Sequence, residues 1–218
     1  MTLSRQRGFT LLEILIAIVI LTTVMTTVYA AYTGTLRIVR DSEYRGDVYG
    51  MARTVMKRMS EDLASAYRYD GDFIFFSEPS EVMEEEFTDL TVLSSSHLSF
   101  EEGSPSGIAL ISFYVREIDE GNYGLFRKDE LFRGDFEGEV EREGGYVVCD
   151  RLQSLEYTFY DDEGEDFDEW DSRSDTERRQ DRAPVVVRIR LAFANPDNEE
   201  NPFLFMTRVF LPLAGETP

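Results

Sequence analysis

One cysteine, Cys149, stands in 218 residues, which excludes an intrachain disulfide. It lies in Tyr146-Val147-Val148-Cys149, a strand-like run, and reads as a small buried core residue. There is also one histidine, His97. With no second histidine and no cysteine cluster, a transition-metal centre lacks its ligands. The same scarcity removes a histidine-based catalytic triad, and no glycine-rich phosphate loop is present. Carboxylates are so plentiful that no pair stands out as general acid and base, so no enzyme is expected. Positive charge is scarce as well: 22 basic residues face 43 acidic ones, a net charge of −21. Such a surface repels phosphate backbones, and no nucleic-acid partner is expected. It would suit solubility, a basic partner or divalent cations.

What is present is apolar and unevenly distributed. At 42% apolar and 13% aromatic, the chain can bury a core and is not a disordered protein. The first 40 residues carry four arginines (Arg5, Arg7, Arg37, Arg40) and one acid, Glu13, so the remainder holds 18 bases against 42 acids. From Phe9 to Tyr32 the chain runs 24 residues with that single charge. As a helix this segment is roughly 36 Å long, enough to cross a hydrocarbon core of about 30 Å. Arg5 and Arg7 keep the short amino-terminal end in the cytoplasm, which puts the acidic bulk across the membrane.

Three readings of this segment compete. It can be an uncleaved signal anchor, or an ordinary secretory signal with Val28-Tyr29-Ala30 as the cleavage site. Both leave Glu13 without a purpose. A carboxylate inside an apolar span costs about 2.5–3.5 kcal/mol when central and less near the end, and a plain anchor has no need of it. The third reading supplies a partner. The run Arg7-Gly8-Phe9-Thr10-Leu11-Leu12-Glu13 resembles the class III signal of type IV pilins and type II secretion pseudopilins. That resemblance implies cleavage by a prepilin peptidase after Gly8 and N-methylation of the new terminus, Phe9. It also implies a register role for Glu13, whose carboxylate would neutralise the terminal amine of a neighbouring subunit. A desolvated charge without its partner is costly, so misregister would be penalised.

Beyond the anchor, Val48, Met51, Ala52, Val55, Met59, Leu63 and Ala66 recur at spacings of three and four, which predicts an amphipathic continuation of the helix over 33–70. The methionines Met51, Met56 and Met59 read as plain core. Arg53, Lys57, Arg58, Glu61 and Asp62 fall largely on other faces. Gly34, Gly46 and Gly50 each weaken the rod by about 0.5–1 kcal/mol relative to alanine. Tyr69-Asp70-Gly71-Asp72 is the expected stop, with Gly71 as C-cap.

From 71 to 218 a β-rich globular domain is expected. Phe73-Ile74-Phe75-Phe76 is a short apolar run, and Glu78 to Glu86 reads as an acidic loop. Ile108 to Arg116 and Tyr123 to Phe132 read as strands joined at Asp119-Glu120-Gly121-Asn122, a hairpin signal. Leu155, Tyr157 and Phe159 alternate with polar residues, as do Val185, Val187, Ile189, Leu191 and Phe193. Asn195-Pro196-Asp197-Asn198 breaks that strand, and Phe203, Phe205, Val209 and Leu211 predict a last strand paired with it. The fold class is therefore α+β: a pilin-like long N-terminal helix, membrane-spanning in its first half, packed on antiparallel sheet.

Three patterns in the domain also resemble the minor pseudopilin J family of the type II secretion pathway. They are the pair Ile111-Ser112-Phe113-Tyr114 and Gly124-Leu125-Phe126-Arg127; the run from Leu152 to Asp161 followed by an acidic loop with Trp170; and Ala183-Pro184-Val185 leading into a strand. The resemblance implies a single-pass protein of the bacterial inner membrane with its domain in the periplasm. It implies partnership with minor pseudopilins I and K, the major pseudopilin and the prepilin peptidase, in a pseudopilus tip complex that helps export folded proteins. A minor pilin of a type IV pilus or of a DNA-uptake machine shares every N-terminal feature and is the alternative. The segment from Asp161 to Asp181 departs from the family pattern. Eight of the eleven residues from Asp161 to Asp171 are acidic, and Asp161, Asp162, Glu163, Glu165 and Asp166 are the candidate calcium ligands. EF-hand spacing is absent, and a solvated acidic loop is the plainer reading. No other cofactor is expected.

Overall fold

The computed structural model describes residues 8–70, 73–83, 86–98, 107–134, 136, 138, 140–174, 181–198 and 200–212. Contacts divide the chain into two units, 1–47 and 48–218. Of the expected cytoplasmic leader, residues 1–8, positions 1–7 with Arg5 and Arg7 lie outside the described residues, as does the expected cap Gly71.

One helix, α1 (Leu11–Ala64), runs through Gly34, Gly46 and Gly50 without interruption. In the first unit its apolar side chains are exposed on all faces, including Leu11, Ile14, Leu15, Ile18 and Val28. A helix that is apolar all round belongs in a membrane or a large core. It is long and apolar enough to cross a bilayer. Its threonines are compatible with that setting. Thr22, Thr23, Thr26 and Thr27 each donate to the carbonyl four residues back at 2.7–2.8 Å, so no hydroxyl is left unsatisfied in lipid.

In the second unit the pattern becomes one-sided. Val48, Ala52, Val55, Met59 and Leu63 are buried, as their spacing predicts. The helix ends at Ala64, earlier than Tyr69-Asp70 implied. The chain is taken over by the sheet there: Tyr67 N–H donates to Leu93 O at 2.8 Å and Ser95 N–H to Ser65 O at 2.9 Å.

The sheet is antiparallel and curled. Its strands are β1 (Phe75–Pro79), β2 (Thr88–Ser94), β3 (Ala109–Asp119), β4 (Asn122–Leu131), β5 (Tyr146–Tyr160), β6 (Asp166–Phe167), β7 (Val186–Phe193) and β8 (Phe203–Phe210). The order is β1-β2-β3-β4-β5-β7-β8, with β6 paired to β5. The hairpin at 119–122 and the β7–β8 pair form as expected. β2 has no counterpart in the sequence reading. Its residues are buried on both faces, because a second small core of Ile74, Phe76 and Leu93 packs with Ile108, Leu110, Phe132, Phe136 and Val140. With both faces covered there is no alternation to read. Glu78, expected in a loop, lies in β1, and Glu84 and Glu85 of that stretch are outside the described residues.

The acidic segment after β5 is not simply a solvated loop. Trp170 is buried, its Nε1 donating to Arg182 O at 3.1 Å. The residues around it cover the outer edge of β1: Ser77 N–H donates to Trp170 O at 2.8 Å and Ser172 N–H to Phe75 O at 2.9 Å. Exposed strand edges invite unwanted pairing, and this insert closes one of them.

Candidate processing and assembly site

Gly8, Phe9 and Thr10 lie in extended chain just before α1 and are exposed. A Cβ at Gly8 would meet nothing within 4 Å, so the fold places no demand for glycine there. Thr10 and Glu13 form a reciprocal cap. Thr10 N–H donates to Glu13 Oε2 at 3.0 Å, and Glu13 N–H donates to Thr10 Oγ1 at 3.2 Å. This is a capping box, which satisfies two amide donors at the start of the helix. Its Thr-x-x-Glu signature is present in the sequence as Thr10-Leu11-Leu12-Glu13. Glu13 therefore has a local role besides any intermolecular one, and its carboxylate is held at the N–H of Thr10, the residue after Phe9.

A second constellation, which the periodicity misplaced, lies in the domain. Asp62, expected off the apolar stripe with Arg58 and Glu61, is fully buried. Arg127 of β4, equally buried, donates through Nε to Asp62 Oδ2 at 2.7 Å and through Nη1 to Asp129 Oδ2 at 2.8 Å. Arg58 pairs with Asp62 at 2.7 Å, and Ser96 Oγ donates to the same carboxylate. Asp129 accepts from Leu98 N–H at 2.9 Å and meets His97 Nδ1 at 2.6 Å. Gly145, at φ +68°, borders this network: a Cβ there would lie 2.5 Å from Arg127 O, so a side chain does not fit. The arrangement ties α1 to the sheet.

Burial pushes the Arg127 guanidinium down, but Asp62 and Asp129 outweigh it and hold it above its ordinary value. Burial pushes the Asp129 carboxyl up; Leu98 N–H, His97 and Arg127 outweigh that and hold it below the usual carboxylate range. A depressed folded value means a stabilisation fully present above the unfolded value of about 3.9, and lost as pH drops below that value and through the lower folded one. Asp129→Asn is accordingly expected to flatten the acid limb of the stability profile, measured by denaturant midpoints below about pH 4. An acid limb identical to wild type would refute this assignment. Cys149 is buried, and its thiol is pushed up to about 12 by burial, which leaves it inert.

Of the five acidic residues considered for calcium, Asp161, Glu163 and Glu165 come together, with carboxylate oxygens within 4.8 Å of one another; Asp162 and Asp166 are not in that group. Asp161 Oδ1 accepts from the N–H groups of Glu163 and Glu165 at 3.0 and 2.8 Å. This turn, closed by an aspartate on its own backbone, accounts for the clustering without an ion.

The comparisons with known proteins bear on the first site. Residues 3–29 match the family described as the prokaryotic N-terminal methylation motif, which spans Gly8, Phe9 and Glu13. No curated protein matches the chain. Among solved structures, a type IV-like pilin from Thermus thermophilus is similar at 10% identity and a TM-score of 0.48, over 79% of this chain and 100% of that one.

Proposed function

We propose that this protein is the membrane-anchored precursor of a pilin-like assembly subunit, and within that class a minor pseudopilin of a type II secretion system. The observation that carries the reading is the methylation motif over residues 3–29, set at the head of a helix that continues from Leu11 to Ala64 into an α+β domain. A prepilin peptidase cuts after Gly8, and Phe9 becomes the N-methylated terminus. The subunit then joins minor pseudopilins I and K and the major pseudopilin at the periplasmic face of the inner membrane. The strand patterns around Ile111–Tyr114 and Leu152–Asp161 support the secretion branch over a pilus or DNA-uptake machine. The protein acts by presenting surfaces rather than by chemistry of its own.

The mature amino terminus is the direct test. Mass spectrometry of membrane-extracted protein is expected to find N-methyl-Phe9; Met1 or Thr2 would mean a plain anchor, and Ala31 an ordinary secreted protein. The branch is tested by deletion: loss of folded exoprotein export supports secretion, while loss of pili or of DNA uptake supports the alternative.

Glu13 separates two roles. Glu13→Gln keeps an oxygen to cap Thr10 N–H but carries no charge, whereas Glu13→Leu removes both. Both variants are expected to insert in the membrane, and both to lose co-purification with the partner pseudopilins. Wild-type co-purification of Glu13→Gln would show that the cap, not the charge, is what the residue supplies.

A further inference from the structure

β8 is the opposite edge of the sheet from β1, and no described residue covers it. Leu211 N–H donates to Val185 O at 3.0 Å, and the pairs Val187–Val209, Ile189–Thr207 and Leu191–Phe205 continue that register. Antiparallel alternation then turns the backbone groups of Phe205, Thr207 and Val209 toward β7, and those of Leu204, Met206, Arg208 and Phe210 toward the open side. Among the described residues, three common protections of an edge are missing from β8. The strand has no proline and no lysine, and its pairing with β7 shows no bulge.

Both faces beside this edge are apolar. On the outer face Leu204, Met206 and Phe210 are 55%, 64% and 72% exposed. On the inner side a groove of about 620 Å³ runs between α1 and β8, lined by Tyr49, Gly50, Ala52, Met56 and Phe205. Arg53 stands on its wall.

The charge here is opposite to that of the whole. In a chain of net charge −21, Arg188 and Arg208 are directly opposed across β7 and β8. Like charges so placed are unfavourable. Both lie near the ring of Tyr160, at 5.8 and 5.9 Å from its centroid. Arg190 has Glu156 at 3.4 Å, but Arg53, Arg188 and Arg208 have no carboxylate partner among the described residues. A second copy of this chain would bring the same arginines together. A membrane surface would leave the outward N–H and C=O groups of β8 without partners.

We propose that the β8 edge receives an extended, acidic segment of a partner protein, which adds as a further strand beside residues 204–210. Its backbone pairs with the outward groups of Leu204, Met206, Arg208 and Phe210. One set of its side chains fills the groove beside Tyr49 and Met56, and its carboxylates, on the opposite face, meet Arg208 and Arg188. Main-chain pairing supplies affinity and the alternate side chains supply selectivity.

The test uses the full-length chain in detergent and a fluorescent peptide of alternating glutamate and valine, matched in length to β8, read by anisotropy. Wild type is expected to bind, more weakly as salt rises. Met206→Pro removes an outward donor and leaves the β7 ladder intact, and is expected to weaken binding about tenfold or more. Arg208→Glu is expected to weaken it and to reduce the salt dependence. Should Met206→Pro fail to fold, the same peptide N-methylated on the amides facing β8 replaces it and is expected not to bind wild type. No binding by wild type, or equal binding of the N-methylated peptide, overturns the proposal. So does a concentration-dependent dimer that Met206→Pro dissolves, which assigns the edge to a second copy. Binding to phosphatidylglycerol vesicles instead of the peptide, lost in Arg208→Glu, assigns it to lipid and also overturns it.

Discussion

Gly8→Ala is expected to leave uncleaved, unmethylated precursor in the membrane, with mature protein absent from immunoblots and mass spectra. The substitution is silent for the fold. Gly8 precedes α1, and an added Cβ touches nothing within 4 Å. A processing defect in this variant therefore belongs to the peptidase, whose site must admit the residue before the cut. Gly46→Ala is the matched control: its Cβ also meets nothing, and it lies within α1, where alanine is the better helix former. That variant should be cleaved as wild type. Normal maturation of Gly8→Ala would defeat the cleavage reading while leaving the long apolar helix untouched.

The second large effect lies at Arg127. Arg127→Met removes the guanidinium that bridges Asp62 and Asp129, and Asp62 is fully buried. Removing one member of a buried ion pair costs about 3–5 kcal/mol, because the other charge stays desolvated. Against a typical domain stability of about 5–15 kcal/mol, that is a large share. Adding Asp62→Leu is expected to recover most of the loss, since an apolar pair of similar volume replaces a buried ion pair at little cost. Denaturant midpoints of the four proteins form a double-mutant cycle and give the coupling directly. A loss under about 1 kcal/mol for Arg127→Met alone would contradict the description of this network as the tie between α1 and β4.

The two sites differ in how far they could be read in advance. Glu13 and Thr10 are three residues apart, so both the anomaly of a charge in an apolar run and the capping signature are local. Asp62 and Arg127 are separated by 65 residues, and no periodicity within one helix reports such a partner. Asp62 follows the stripe residue Met59 by three, a spacing that fits the buried face, so its charge and not its position sets it apart from the core in the sequence. Trp170 sits among acids that imply solvent, yet it is buried because the segment folds back on β1.

The sequence by itself determined the long apolar helix at the start of the chain, the amphipathic face from Val48 to Leu63, and the strands whose one solvated face left an alternating pattern, β7 above all. These are short-range consequences of helix and strand periodicity. Only the tertiary structure decided which charges are buried, that β2 is covered on both faces, and which edge of the sheet is closed. β1 and β8 are both edge strands, but the 170–172 segment lies along β1 while β8 keeps its outward groups open among the described residues. Strand order and cross-chain contacts set that difference. They arise when segments far apart in sequence compete for the same faces, and a linear pattern carries no record of who wins.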